Sequence, residues 1–245
     1  MKMIILAAGY ATRLYPLTKD FPKPLLKVGD KTILDWLVDD IDTCGKIDEY
    51  VVISNHKFAT HFEEWAKHKS MKITVVDDGT STNETRLGAV VDIQYAVNKC
   101  GINDDCVIIA GDNVLDFSLT KFVEYGVSKN ASCCMRHFEP SVEKLRKTGV
   151  LSIDDSDKVL EMAEKPAEPA SNWACPPFYF YKASDIARIG EALDNGCGKD
   201  APGSLVAWLC KNSTVYAYEM PGDRYDIGDI KSYEDVQERY KGITK

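Results

Sequence analysis

Long apolar runs are missing from this chain: none of its 245 residues forms part of a stretch near the ~18–20 residues that a membrane span needs, so no membrane partner is expected. The apolar start MKMIILAAGY lacks the longer hydrophobic region and cleavage site of a secretory signal, which predicts a cytoplasmic protein. Positive charge is also short. Thirty Lys and Arg against 38 Asp and Glu give a formal charge of -8, which disfavours nonspecific binding to nucleic acid or anionic lipid. The eight cysteines include no Cys-x-x-Cys and no paired ligand spacing, so they read as free thiols of a reducing compartment. The vicinal Cys133 and Cys134 read as core residues of a strand. Internal repeats, low-complexity tracts and linkers are absent, and the four histidines (His56, His61, His68, His137) fall outside every motif and receive no role.

What is present is globular composition, 44% hydrophobic and 28% charged. A chain of this length buries enough surface to fold without disulfide or metal. Apolar clusters rich in Val, Ile and Tyr alternate with amphipathic stretches, the pattern of strand-helix-strand units. Strands are expected at Lys2–Leu6, Tyr50–Ser54, Met71–Val76 and Val107–Ala110, with helices at Ile33–Cys44, Phe58–His68 and Leu87–Asn98. This rhythm predicts an α/β, Rossmann-like, mostly parallel sheet flanked by helices. Beyond residue 130 the texture changes. Short strand-like runs at Ala131–Phe138, Gly149–Ile153, Lys158–Glu161 and Phe178–Tyr181 lack intervening helices and predict a smaller mixed-sheet lobe. Helices are then expected at Ser184–Asp194, Leu205–Lys211 and Lys231–Tyr240, with a strand at Val215–Glu219. The expectation is one domain, 1–245, with halves at 1–130 and 131–245.

The first strand runs into Leu6-Ala7-Ala8-Gly9-Tyr10-Ala11-Thr12-Arg13, a small-residue loop where open α/β sheets bind ligands. Small side chains let backbone N–H groups approach phosphates closely, although the same residues also make a plain tight turn. It is neither a Walker loop nor a GxGxxG fingerprint. Residues 1–27 hold five basic side chains (Lys2, Arg13, Lys19, Lys23, Lys27) against Asp20 alone. Lys23 stands between two prolines, whose stiff backbone lowers the entropic cost of holding an ammonium group in place. An anionic ligand accounts for this asymmetry.

The run LAAGYATRLYPLTKDFPKPLLKVGDKTIL resembles the signature of the sugar-nucleotide pyrophosphorylases, the nucleoside-triphosphate:sugar-1-phosphate nucleotidyltransferases, and in particular short thymidylyl- and uridylyltransferases. GDN at 111–113, TGV at 148–150, EKP at 164–166, FYFY at 178–181 and YDIGDIKSYED near the end follow in that family's order. The resemblance implies transfer of a nucleoside monophosphate to a sugar 1-phosphate with release of pyrophosphate, a reaction of positioning and charge neutralisation. It implies that Arg13 braces the leaving phosphates, Lys23 neutralises the α-phosphate, and Lys165 holds the acceptor's phosphate.

Asp112 and Asp226 are the implied magnesium ligands, Mg2+ completing its octahedron with water and phosphate oxygens. Asp226 is preferred to Asp223 and Asp229 because the family places its acid two residues before the glycine. The nucleotide contacts fall on Leu6, Ala7, Ala8, Gly9, Ala11, Thr12, Arg13, Asn83 and Gly88. Nucleobase reading falls on the Ala8 and Gly9 backbone and on Asn83, five residues before Gly88; a side-chain amide there favours a pyrimidine. Acceptor contacts are expected from Asn113, Gly149, Glu164, Lys165, Trp173, Phe178 and Tyr179. Cys175-Pro176-Pro177 departs from the family's small residue and glycine, since proline removes a donor, so the acceptor pocket is expected to be remodelled. Its aromatic neighbours fit core packing, or a cage for a quaternary ammonium such as choline. A cytidylyltransferase acting on phosphocholine is therefore the alternative, and a noncatalytic nucleotide-binding regulatory subunit the second. The partners implied are a nucleoside triphosphate and a small phosphorylated acceptor, with a homo-oligomer allowed.

Overall fold

The computed structural model describes residues 1–244. In chain order come β1 (Lys2–Leu6), β2 (Lys27–Val28), β3 (Lys31–Thr32), α1 (Ile33–Asp42), β4 (Glu49–Ser54), α2 (Ala59–Ala66), β5 (Ile73–Asp77) and α3 (Ala89–Cys100). There follow β6 (Cys106–Ala110), β7 (Val114–Leu115), α4 (Thr120–Lys129), β8 (Ser132–Phe138), α5 (Val142–Leu145), β9 (Gly149–Ile153) and β10 (Val159–Glu164). The last are β11 (Trp173–Cys175), β12 (Phe178–Tyr181), α6 (Ala183–Ile186), α7 (Ile189–Asp194), α8 (Gly203–Asn212), β13 (Val215–Glu219), β14 (Arg224–Tyr225) and α9 (Ile230–Arg239). Two compact units emerge: the first holds residues 1–86, 110–121 and those from 221 onward, the second 87–109 and 122–220. Residues 221 onward, which the sequence places in the second half, thus cluster with the first strand and its loop. No described helix is long and apolar enough to cross a membrane.

In the first unit β1 pairs in parallel with β4, and β4 with β5. Met3, Ile4 and Ile5 are fully buried, the continuous apolar run of a strand covered on both faces. Helix α1 starts at a reciprocal cap, with the Thr32 hydroxyl accepting from the Asp35 N–H and the Asp35 carboxylate from the Thr32 N–H. Such a cap stabilises a helix by about 1 kcal/mol. The helix buries Ile33, Leu34, Leu37, Val38 and Ile41, the stripe its sequence periodicity predicts.

The second unit is built largely of antiparallel pairs: β10 with β9, β9 with β11, β11 with β8, and β12 with both β6 and β8. Strand β13 adds to β8 in parallel, so this part of the α/β fold is mixed, as its sequence texture indicates. The helix expected over Ser184–Asp194 is two short ones, broken at Arg188, where φ is -96° and ψ 5°. There the guanidinium bonds Asn212 O at the end of α8 and the Glu191 carboxylate. Helix α4 has no counterpart in the sequence reading. Its Gly126 disguises it, and that glycine is required because an added Cβ would lie 2.4 Å from the Phe180 ring. One helical turn, α5, also separates β8 from β9, where none is expected.

All eight cysteines are free, and Cys133 and Cys134 are fully buried in β8, as expected of core residues. Burial, with Cys134 beside it, pushes the Cys133 thiol up to about 12, which makes it inert as a nucleophile.

Candidate active site

An apolar cluster assembles the polar residues of the first unit. Leu14, Val28, Ile33, Val114, Ile227, Val236 and Tyr240 are buried together, with Ala11, Leu26 and Tyr225 packed against them. Most belong to or border a motif: Leu14 follows Arg13, Val28 lies four residues after Pro24 of the Pro-Lys-Pro turn, Val114 follows Gly-Asp-Asn, and Ile227 follows Asp226. Burying one Leu or Ile stabilises by about 1.5–3 kcal/mol. Four segments distant in sequence are therefore brought to one place by their hydrophobic neighbours.

Lys23, only 7% exposed, donates from Nζ to Asp112 Oδ2 at 2.8 Å. Gly111 between β6 and Asp112 is forced by contact, since a Cβ there would lie 2.9 Å from Ile5 Cγ2. Burial raises the Asp112 pKa, but the Lys23 charge and hydrogen bond, with Arg224 nearby, outweigh it and hold the carboxyl below its ordinary value. Asn113 continues the network. Its Nδ2 donates to Ala110 O at 2.9 Å and Asp112 Oδ1 at 3.3 Å, and its Oδ1 accepts from Arg224 Nη1 at 2.9 Å. Arg224 Nη1 in turn lies 4.0 Å from Asp226 Oδ1. A Cβ on Gly228 would stand 3.8 Å from Arg13 Nη1 and 3.9 Å from Asp226 Oδ2. Arg13, Lys23, Asp112 and Asp226 are thus parts of one neighbourhood. Asn113, expected among the acceptor contacts, is 3% exposed with its amide engaged inside this network.

The loop after β1 carries Ala11 in the left-handed region, φ 45° and ψ 43°. That conformation costs a residue with a Cβ about 1–2 kcal/mol, and such strain collects at functional sites. Gly9, Thr12 and Arg13 are exposed, whereas Ala7 and Ala8 are buried. Asn83 opens the single helical turn Asn83–Thr85 and is half-buried. Gly88 belongs to the second unit, where its φ of +97° and the Lys199 carbonyl, 2.7 Å from an added Cβ, leave no room for another residue.

In the second unit Gly149 pairs with Glu164 across β9 and β10, and with Cys175 across β9 and β11. Glu164 Oε1 lies 3.4 Å from where a Gly149 Cβ would stand and 2.2 Å from where a Gly203 Cβ would. Two glycines therefore make the space in which this carboxylate sits, and it has no hydrogen-bond partner among the described residues. Burial raises its pKa, with the Lys165 charge opposing. Lys165 is exposed and adopts φ 47°, a second non-glycine residue in the left-handed region, its N–H bonded to Thr148 O. Gly149, Glu164 and Lys165 are brought together.

The three aromatic side chains expected among the acceptor contacts also lie in the second unit. Phe178 and Tyr179 are 0% and 1% exposed, and Tyr179 stacks on Tyr181 at 5.5 Å. The Trp173 ring faces the Arg136 guanidinium at 4.4 Å and packs edge-on to Phe138. Phe178 and Tyr179 are packed in the core, and Trp173 is half-buried.

Two contributors escape the sequence reading. Gly203 follows a proline and reads as a turn, and Arg224 lies in an acidic turn where the aspartates draw attention. Among the described residues no three His, Cys, Asp or Glu side chains form a ready metal cluster. Asp112 and Asp226 supply two hard oxygen donors, which fits a magnesium ion that takes its remaining ligands from water and phosphate.

The family model described as Nucleotidyl transferase matches residues 2–242. The chain is 26% identical to the glucose-1-phosphate adenylyltransferase of Fervidobacterium nodosum, over 94% of its own length and 59% of the relative's. It is 34% identical to the bifunctional protein GlmU of Methanococcus aeolicus, over 93% of its length and 51% of the relative's. The chain thus spans between half and three fifths of these curated relatives. A UDP-glucose pyrophosphorylase solved in complex with UDP-glucose shares its fold, with a TM-score of 0.82, 20% identity and 97% of each chain covered.

Proposed function

Because the chain belongs to the nucleotidyl transferase family, we propose that it transfers a nucleoside monophosphate from a triphosphate to a sugar 1-phosphate. A phosphate oxygen of the acceptor attacks the α-phosphorus, the bond between that phosphorus and the α–β bridging oxygen breaks, and the electron pair leaves with pyrophosphate. No covalent intermediate is required, so catalysis rests on alignment and charge. The observation that carries this reading is the ion pair of Lys23 and Asp112 within a network that reaches Arg224 and Asp226.

In this reading the first unit binds the nucleotide and the second the acceptor. Arg13 pairs with the departing phosphates, its planar fork matching two oxygens. Lys23 meets charge at the α-phosphate while keeping Asp112 oriented. Asp112 and Asp226 would hold a divalent ion, magnesium by the hardness of the donors, and that ion supplies further neutralisation of the phosphate chain. Lys165 holds the acceptor phosphate, and Glu164 accepts hydrogen bonds from sugar hydroxyls in the space Gly149 and Gly203 leave for it. Asn83 reads the base, a side-chain amide fitting the mixed donor and acceptor edge of a pyrimidine, while the Ala8 carbonyl is taken by Asn55 Nδ2. The sugar phosphate is preferred over phosphocholine because Phe178 and Tyr179 are buried and the half-buried Trp173 ring already faces the Arg136 guanidinium.

A pyrophosphate-release screen that crosses the nucleoside triphosphates with sugar 1-phosphates and phosphocholine tests base and acceptor together. The expected result is turnover with a pyrimidine triphosphate and a sugar 1-phosphate. Turnover with phosphocholine alone would overturn the acceptor assignment, and no release with any pair would overturn the reaction.

A further inference from the structure

Two fully buried polar side chains outside the motif's charged set reach the loop that follows β1. Asn55, at the end of β4, donates from Nδ2 to Ala8 O at 3.0 Å, while its Oδ1 accepts from the Phe58 N–H at 3.0 Å. Both ends of the amide are used, so its orientation is fixed. Thr18 donates from Oγ1 to Ala11 O at 2.8 Å, and the same carbonyl accepts from the Leu14 N–H at 2.9 Å. Ala11 is the strained left-handed residue of this loop.

A trans peptide fixes what these grips do. The carbonyl of one residue and the N–H of the next lie in one plane and point in opposite directions. Drawing the Ala8 carbonyl toward Asn55 aims the Gly9 N–H away from the interior, and drawing the Ala11 carbonyl toward Thr18 does the same for the Thr12 N–H. Gly9 and Thr12 are exposed, and neither N–H has a hydrogen-bond partner among the described residues. Tyr10 between them is buried, its hydroxyl 3.4 Å from Thr80 Oγ1, which pins the loop at a third point.

We infer that Asn55 and Thr18 are positioning residues that hold the loop, before any ligand arrives, with the Gly9 and Thr12 N–H groups turned toward the triphosphate. The inference rests on the proposed reaction for the identity of that anion, and it adds which side chains set the loop's shape. Preorganisation of this kind acts on affinity for the phosphate chain and leaves the acceptor untouched. Thr18→Val keeps the shape and removes the hydroxyl. Thr18→Ser restores it. Thr18→Val combined with Ala11→Gly removes the strain that Thr18 restrains, because glycine adopts the left-handed region freely.

The test measures steady-state constants for both substrates and, by calorimetry, the affinity of each variant for inorganic pyrophosphate. Thr18→Val is expected to weaken pyrophosphate binding and raise the KM for triphosphate about tenfold, the loss of roughly one good hydrogen bond, with the acceptor KM unchanged. Thr18→Ser should stay near wild type, and Ala11→Gly should recover much of the loss. Asn55→Asp, which keeps the acceptor for Phe58 and removes the donor to Ala8, should behave like Thr18→Val. Folded variants with unchanged constants, or with both KM values raised alike, overturn the inference. Loss of folding in both Thr18→Val and Asn55→Asp also overturns it, by assigning these residues to the fold alone. Wild-type chain that binds pyrophosphate in a Thr18-dependent way yet shows no turnover would refute the reaction and leave the loop's design standing.

Discussion

Lys23 Nζ and Asp112 Oδ2 are 2.8 Å apart across 89 residues of chain, with the lysine 9% and the aspartate 44% exposed at the side chain. A buried ammonium beside a half-open carboxylate leaves the acid with one side for its partner and another for a ligand.

Asp112→Asn is the sharpest test of that arrangement. The amide oxygen can still accept from Lys23, so the fold survives, with a loss of about 1–3 kcal/mol for weakening a charged pair on a buried lysine. Divalent-ion affinity and turnover should fall much further, turnover by at least ~100-fold. Chemical denaturation and metal-dependent pyrophosphate release together check both halves.

The same pair has a pH signature. The Asp112 carboxyl is held below its ordinary value, so it contributes stability present above the unfolded carboxylate range and lost as pH falls through the folded value. A carbon-detected NMR titration should place Asp112 below the exposed aspartates, and the shift should vanish in Lys23→Met. Titration at an ordinary value would contradict the pairing.

Glu164 carries the opposite sign. Its raised pKa means the folded state holds its proton to higher pH than the unfolded chain, so stability declines as pH rises through that window. Glu164→Gln should raise Tm at neutral pH while raising the acceptor KM, the exchange expected when strain is kept for a function. Equal Tm values above and below that window would oppose this reading.

Gly203→Ala separates helix propensity from site geometry. Alanine favours α8 on propensity alone, yet its Cβ would lie 2.2 Å from Glu164 Oε1 and 2.3 Å from Met162 Cε. The expected outcome is a net loss of about 1–3 kcal/mol by crowding and a raised acceptor KM with the triphosphate KM unchanged. A stabilised, fully active variant would show that the carboxylate does not depend on this space.

Lys165→Gly and Lys165→Ala both remove the charge proposed to hold the acceptor phosphate. Only glycine relieves the φ of 47°, so the glycine variant should be the more stable by about 1 kcal/mol. Both should raise the acceptor KM alike; a difference in KM that follows stability would point to loop shape and not charge.

Residues whose chemistry and neighbours agree were readable in the sequence. Strand β1 with its loop, the helix stripe of α1 and the core placement of Cys133 and Cys134 all follow from local pattern. Arg13, Lys23, Asp112 and Asp226 stood out by charge and motif, and the structure adds that Leu14, Val28, Val114 and Ile227 carry them together. What stayed hidden depends on contacts distant in sequence. Gly126 looks like a helix breaker until Phe180 is beside it, and Gly203 looks like a turn until Glu164 is. Asn55 and Thr18 look like ordinary polar residues, because only the tertiary fold shows which carbonyls they grip. Asn113 illustrates the converse: its place in a motif marks it as important, while its hydrogen bonds tie it to Arg224.

The central claim is tested most directly by following a triphosphate labelled at its α-phosphorus, with a sugar 1-phosphate and magnesium present. The account predicts that the label appears in a nucleoside-diphosphate sugar, in step with one pyrophosphate per turnover, and that chelation of the ion or Asp112→Asn stops it. Label remaining in the triphosphate with every sugar 1-phosphate offered, or released as free monophosphate without joining the sugar, would contradict it.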